Sequence, residues 1–363
     1  MAGPQLSRRL LLALLAAGAF RPKATWAAAR SDFLAAWQTA DGRYRAGVLS
    51  AAGETLQALD LPARGHGMAW DAAGRRAVIF ARRPGRFAVV LDLQKGLRKR
   101  EIEAARGRHF FGHGCFSADG HRLYATENDY DGERGVIGVY DAADGFRRIG
   151  ELSSHGVGPH EIRLSADGRT LIVANGGILT HPEAPRAKLN LTEMAPSVVF
   201  LEAGSGRLLQ QVAPPAELHR LSLRHLDIAR DGQVVVVAQW EGDPLAQPPL
   251  IGLTRLGQRL HLVSAPKAVQ TGLRNYCGSV AFSNDGRRFA VTSPRGGLAT
   301  FWRNDGDFLG AADLPDVCAV DAADTGFRLT SGEGKLAELR DGRLVPLDLS
   351  LRRFDNHLMS LTV

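Results

Sequence analysis

Six short glycine turns recur along the chain, at Gly74, Gly120, Gly168, Gly232, Gly286 and Gly326, spaced by 46, 48, 64, 54 and 40 residues. Four of them read Asp-Gly, a strong hairpin signal when it separates strand-like runs. Such runs follow the first five turns: Ala77-Val78-Ile79-Phe80, Leu123-Tyr124-Ala125-Thr126, Leu171-Ile172-Val173-Ala174, Val234-Val235-Val236-Val237 and Phe289-Ala290-Val291-Thr292. Third strands such as Val136 to Tyr140 and Val198 to Leu201, and weaker fourth strands, complete each unit. A repeat of this length with four short strands is a propeller blade.

Six blades are counted this way, and the chain ends supply a seventh. Phe33 to Trp37, Tyr44 to Leu49 and Thr55 to Leu59 read as second, third and fourth strands with no first strand before them. Residues 357–363 read as a first strand with nothing after it. Joining the two closes the ring and removes two exposed sheet edges. The expectation is an all-β, seven-bladed β-propeller, one domain spanning residues 30–363. The 41 glycines that its many tight turns demand fit that reading.

The blades carry a second register. His66 and His160 stand eight residues before their turn glycine, with Cys318 in the same slot. His113 and His225 stand seven before it, Cys277 nine before it, and His357 begins the closing strand. In a ring of blades, equivalent positions converge on the axis, so His66, His113, His160, His225, His357 and Cys318 are the candidate metal ligands. Glu161, Asp227, Cys277, His181 and Arg186 are candidates for further ligands or for residues behind them. Neighbouring strand residues face opposite ways, so offsets of seven and eight need bulges to point the same way. Imidazoles with a thiolate suit copper or iron better than calcium or magnesium, which prefer oxygen cages. The competing reading has each histidine pinning a neighbouring blade through its backbone.

Residues 1–29 read as an export leader. Ser7-Arg8-Arg9-Leu10 opens an apolar run to Phe20, and Ala27-Ala28-Ala29 offers a small-residue cleavage site. The paired arginines favour the twin-arginine route, hence a periplasmic protein. The net charge of +7 includes four cations of this leader, and the remaining +3 argues against a nucleic-acid surface. Three cysteines are too few for a disulfide framework. For Cys277 and Cys318 a disulfide, a thiolate ligand and buried filler all stay open, and Cys115 reads as core. Asn175 to Asn190 is an insertion between two strands, placed to cap the channel mouth, with His181 or Arg186 reaching inward. The acidic stretch Glu127 to Glu133 reads as a polar turn.

No nucleophile elbow, phosphate-binding loop, zinc-protease helix or dinucleotide fingerprint occurs. At Gly65-His66-Gly67, Gly112-His113-Gly114, Thr126-Glu127-Asn128, Gly158-Pro159-His160-Glu161, Asn175-Gly176-Gly177-Ile178, Thr180-His181-Pro182, Arg224-His225 and Asp355-Asn356-His357, the chain resembles the bacterial family catalogued as domain of unknown function 1513. The resemblance implies a periplasmic propeller encoded beside imelysin-like and dihaem proteins, its possible partners, with a role in iron acquisition. It brings no catalytic residues with it. The arrangement is also similar in outline to nitrous oxide reductase, whose propeller holds copper in a histidine ring, but no cupredoxin-like domain follows here. Two function classes stand: a metal-binding component of a periplasmic iron system, or an enzyme at the channel mouth, lactonase-like or a metal-dependent oxidoreductase.

Overall fold

The computed structural model describes residues 32–361, apart from 72, 74, 84, 94–97, 185–186, 325, 341 and 350–351. The leader falls outside this range, as does Arg186. Seven four-stranded antiparallel sheets surround one axis. Blades I to VI span residues 65–103, 108–153, 159–212, 221–263, 279–313 and 317–349. Blade VII combines the strands of residues 33–60 with the strand Arg353–Ser360.

That closing strand is innermost in its blade and pairs Ser360 with Phe33, Met359 with Leu34, and Leu358 with Ala35. It begins four residues earlier than the sequence suggests, because Arg353 and Phe354 continue the ladder opposite Gln38 and Trp37. The chain thus leaves no unpaired inner edge at the join.

The turns form as their composition demands. In Ser117-Ala118-Asp119-Gly120 the Ser117 hydroxyl donates to Asp119 Oδ1 at 2.5 Å, and that oxygen also accepts the His121 amide at 3.0 Å. Ser165 with Asp167 and Ser283 with Asp285 repeat the device. Strands lying second in a blade are covered on both faces by neighbouring blades, which is why they read as unbroken apolar runs. Val234, Val235, Val236 and Val237 are all buried between blades III and V, and Phe289 stacks on Trp302 at 6.0 Å.

The stretch read as a polar turn is one only over residues 130–133. Glu127, Asn128 and Asp129 belong to the strand Arg122–Asp129 and are buried. Glu127 receives the Tyr140 hydroxyl at 2.6 Å and Arg148 at 2.9 Å, and Arg134 meets Asp129 at 2.7 Å. Internal ion pairing, invisible in composition, carries these carboxylates inside.

Candidate metal centre

Five consecutive blades each send one histidine to the axis. His66 lies on Gly65–Asp71, His113 on Arg108–Phe116, His160 on Pro159–Leu164, His225 on Leu221–Ile228 and His357 on Arg353–Ser360, all innermost strands. Every one of these strands slips register with its neighbour at or beside the histidine. The slips fall between Gly65 and Met68, Phe110 and Gly114, Pro159 and Glu161, Leu223 and His225, and, on the closing strand, Phe354 and Leu358. A bulge turns a side chain from one face toward the other. Unequal offsets in sequence therefore arrive at one place.

The rings crowd together. His66, His113 and His357 have centroids 4.7 to 4.9 Å apart. His160 and His225 are 4.6 Å apart, and each lies 5.3 Å from His113. His225 is 4.5 Å from His357. Ring nitrogens of His66, His113 and His357 lie within 4.8 Å of one another, as do those of His113, His160 and His225. His113 belongs to both triads.

Two glycines make this approach possible. A Cβ at Gly67 would lie 2.4 Å from the Gly112 carbonyl oxygen and 2.5 Å from His113 Nδ1. Gly112 has φ +102°, and a Cβ there would lie 2.6 Å from His66 Cδ2. The Gly-His-Gly pattern is the packing requirement of the ring pair written in sequence.

Carboxylates of one blade orient imidazoles of the next. Asp355, beside the closing strand's histidine, accepts His66 Nδ1–H at 3.0 Å. Glu161, next to His160 in sequence, instead accepts His225 Nδ1–H at 3.0 Å and lies 3.8 Å from His113 Nδ1. An ionised carboxylate only accepts, so each bonded imidazole carries a proton on Nδ1, and in its neutral form Nε2 is a bare lone pair. Burial opposes ionisation of both acids, but neighbouring cations and the imidazoles hold them well below the usual carboxylate range. Arg64 pairs with Asp355, and Arg163 with Glu161 at 3.0 Å.

Burial, with like-charged groups around them, pushes His113, His160 and His357 far below the ordinary histidine value, and lowers His66. These four imidazoles are therefore neutral, and each has one ring nitrogen free to donate an electron pair. His113 Nε2, His160 Nδ1 and His357 Nε2 are buried with no hydrogen-bond partner. Three orphaned imidazole nitrogens in one place are costly to a fold that gains nothing from them. The donor set fits a borderline transition ion such as copper, iron or zinc.

The remaining candidates lie around this cluster. Cys318 occupies the matching bulge of blade VI, between Val317 and Ala319. Its Sγ faces the carbonyl oxygens of Thr330 and Phe354 at 3.5 and 3.6 Å, and burial pushes the thiol up to about 12. It joins neither triad. Cys277 is buried in the apolar core of blades III to V, its thiol likewise pushed up to about 12, and all three cysteines are unpaired. Asp227 accepts the Phe282 amide at 2.7 Å, tying blade IV to blade V, and burial pushes it up to about 6. With Asp321 and Arg163 it lines a cavity of about 50 Å³ that His113 and His357 also border. His181 packs edge-on against Tyr130 at 5.2 Å and accepts the Glu183 amide, outside both triads.

Nothing in the sequence singled out Arg64 or Arg82, and Asp355 entered only as part of the motif Asp355-Asn356-His357, two residues from a ring histidine. Pairing across blades, not along one strand, gives it its role.

The model of the DUF1513 family, described as proteins of unknown function, matches residues 59–361. The chain belongs to this family. No curated protein sequence is significantly similar to it. Among solved structures, Kuenenia stuttgartiensis hydrazine synthase is similar with a TM-score of 0.59 and 14% identity, over 90% of this chain and 98% of that one. The β-propeller domain of Cps50 (Swd1) from Myceliophteria thermophila is similar with a TM-score of 0.60 and 15% identity, over 91% and 93%. At such identities these likenesses speak for the fold alone.

Proposed function

We propose that this DUF1513 protein is a transition-metal-binding propeller that holds copper or iron on His66, His113, His160, His225 and His357. The carrying observation is the trio of buried, unpartnered imidazole nitrogens within the five-histidine cluster. The hydrogen bonds that His66 and His225 donate to carboxylates are the usual support of metal-binding imidazoles. Two triads sharing His113 can hold one ion or a closely spaced pair. Nitrogen-donor sites favour copper over iron in intrinsic affinity, so supply in the compartment decides which is loaded. Cys318 stands behind the cluster as a packing residue.

We place the protein in the periplasm on its leader, and in an iron-handling system on its family resemblance, with imelysin-like or dihaem proteins as partners. The test is metal analysis of protein exported to the periplasm, alongside equilibrium dialysis of the stripped protein against copper and iron. Substoichiometric metal in the first and no uptake in the second would return the ring to a structural role.

A further inference from the structure

The ring imidazoles are nearly sealed, with His66, His113 and His225 only 6%, 4% and 2% exposed. An ion bound among them has to arrive by some route. The cavity of about 50 Å³ beside the ring has His113 and His357 in its wall, and the Nε2 of each is buried without a partner. Such a volume holds about three to five waters, enough for a partly hydrated ion.

A second cavity, of about 490 Å³, is bounded by the ends of inner strands and by the turn residues Ser283, Asn284 and Gly286. Asn284 and Arg230 on its wall are exposed, so it opens to solvent on the face of the Asp-Gly turns. The two cavities share four wall residues, Arg163, Asp227, Asp321 and Met359. These four therefore stand between an open vestibule and the chamber that touches the ring.

Among the described residues, the charged groups of the inner chamber are Glu161, Asp227 and Asp321 against Arg163, and the vestibule adds Arg230. Arg163 is paired with Glu161 at 3.0 Å. Asp227 and Asp321 are half-buried and have no ion pair among the described residues. Backbone amides fix them instead. Asp227 accepts that of Phe282 at 2.7 Å, and Asp321 accepts those of Ala322 at 2.9 Å and of Ser360. Two oriented carboxylates at a narrow, poorly solvated neck draw a cation and repel an anion. Imidazole suits copper and iron better than carboxylate does, so an ion held at the neck passes on to the nitrogens.

We propose that the ring is loaded through this axial passage from the face of the Asp-Gly turns, with Asp227 and Asp321 as an entry site for a divalent cation. Arg163 is the positive charge that the ion must pass. The inference rests on the metal reading and adds to it a route, a direction and a selection for cations.

The experiment is stopped-flow loading of full-length mature protein, stripped of metal, with whichever of copper(II) and iron(II) the parent takes up at equilibrium. Asp227→Asn/Asp321→Asn keeps the amide contacts but removes both charges. It should slow uptake by about tenfold or more and leave the final stoichiometry at the parent's value. Arg163→Gln should speed uptake, a change of opposite sign that damage to the fold would not produce. Raising the ionic strength should slow the parent more than the double variant. Asp321→Asn alone serves should the double variant lose the parent's far-ultraviolet spectrum. Loading of the folded variants at the parental rate would overturn the passage and direct entry to the other face. Loss of stoichiometry without loss of rate would overturn it too, making the carboxylates ligands. A parent that takes up neither metal overturns the metal reading itself, and this inference with it.

Discussion

At the scale of residues, the cluster is held by small exact fits that single changes should break. Gly112→Ala must place a Cβ where His66 Cδ2 now lies and adopt a left-handed φ, so it should cost about 1–3 kcal/mol. Metal uptake should fall with it, whereas a Gly→Ala change in a solvent-facing turn such as Gly257 should leave uptake unchanged. Thermal melting and dialysis on both variants check this. Cys318→Ala separates a ligand from a packing residue. With its Sγ turned to backbone carbonyls, the change should cost about 1 kcal/mol of stability and leave metal stoichiometry unaltered. Loss of half the metal or more in Cys318→Ala would make the thiol a ligand after all.

Protonation belongs to the same scale. His66, His113, His160 and His357 titrate below the ordinary value in the folded protein. The unfolded chain protonates its histidines near 6.5, so below that pH it binds more protons than the folded one. Stability of the metal-free protein should therefore be full above about pH 6.5 and fall as pH drops below it. Asp355 and Glu161, depressed in the fold, add a loss of the same sign at lower pH. Melting temperatures of stripped protein between about pH 7.5 and pH 4.5 measure the slope, and a flat profile would mean the cluster is not held neutral.

At the scale of elements, the closing strand and the bulges decide the outcome. Removing residues 353–363 exposes the inner edge of the strand Phe33–Gln38 and takes away both His357 and Asp355. The truncated chain should lose its single cooperative transition and aggregate, as an open ring with two free edges does. Melting like the parent would show that the ring does not depend on this join. Blade count, strand runs and closure were legible in the sequence because turn chemistry and apolar runs are local signals. The convergence of the histidines was legible only as a shared register good to about one residue. Bulges at Gly65–Met68, Phe110–Gly114 and Pro159–Glu161 complete it, and no local pattern announces a bulge. Asp355, Glu161 and the arginines act across blades, between residues up to 291 apart in sequence, so periodicity was silent about them. The burial of Glu127 and Asp129 was hidden for the same reason.

At the scale of the molecule, the ring of blades brings five distant positions to one axis and makes a rigid donor set of imidazoles. Blades V and VI send no histidine there, and their inner strands carry Ser279 and Cys318 near the equivalent positions. The centre is therefore lopsided, with its donors on one side and the carboxylates Asp227 and Asp321 lining the small cavity beside it. His113 is the hinge of this arrangement because both triads use it. The most direct test is metal content per chain after equilibrium dialysis of stripped parent and His113→Ala against copper and against iron, with fold checked by circular dichroism. The parent should take up one or two ions of at least one metal per chain, and the folded His113→Ala protein should lose most of that uptake. A parent that takes up neither metal, or a folded variant that matches it, would contradict a metal centre at the histidine ring.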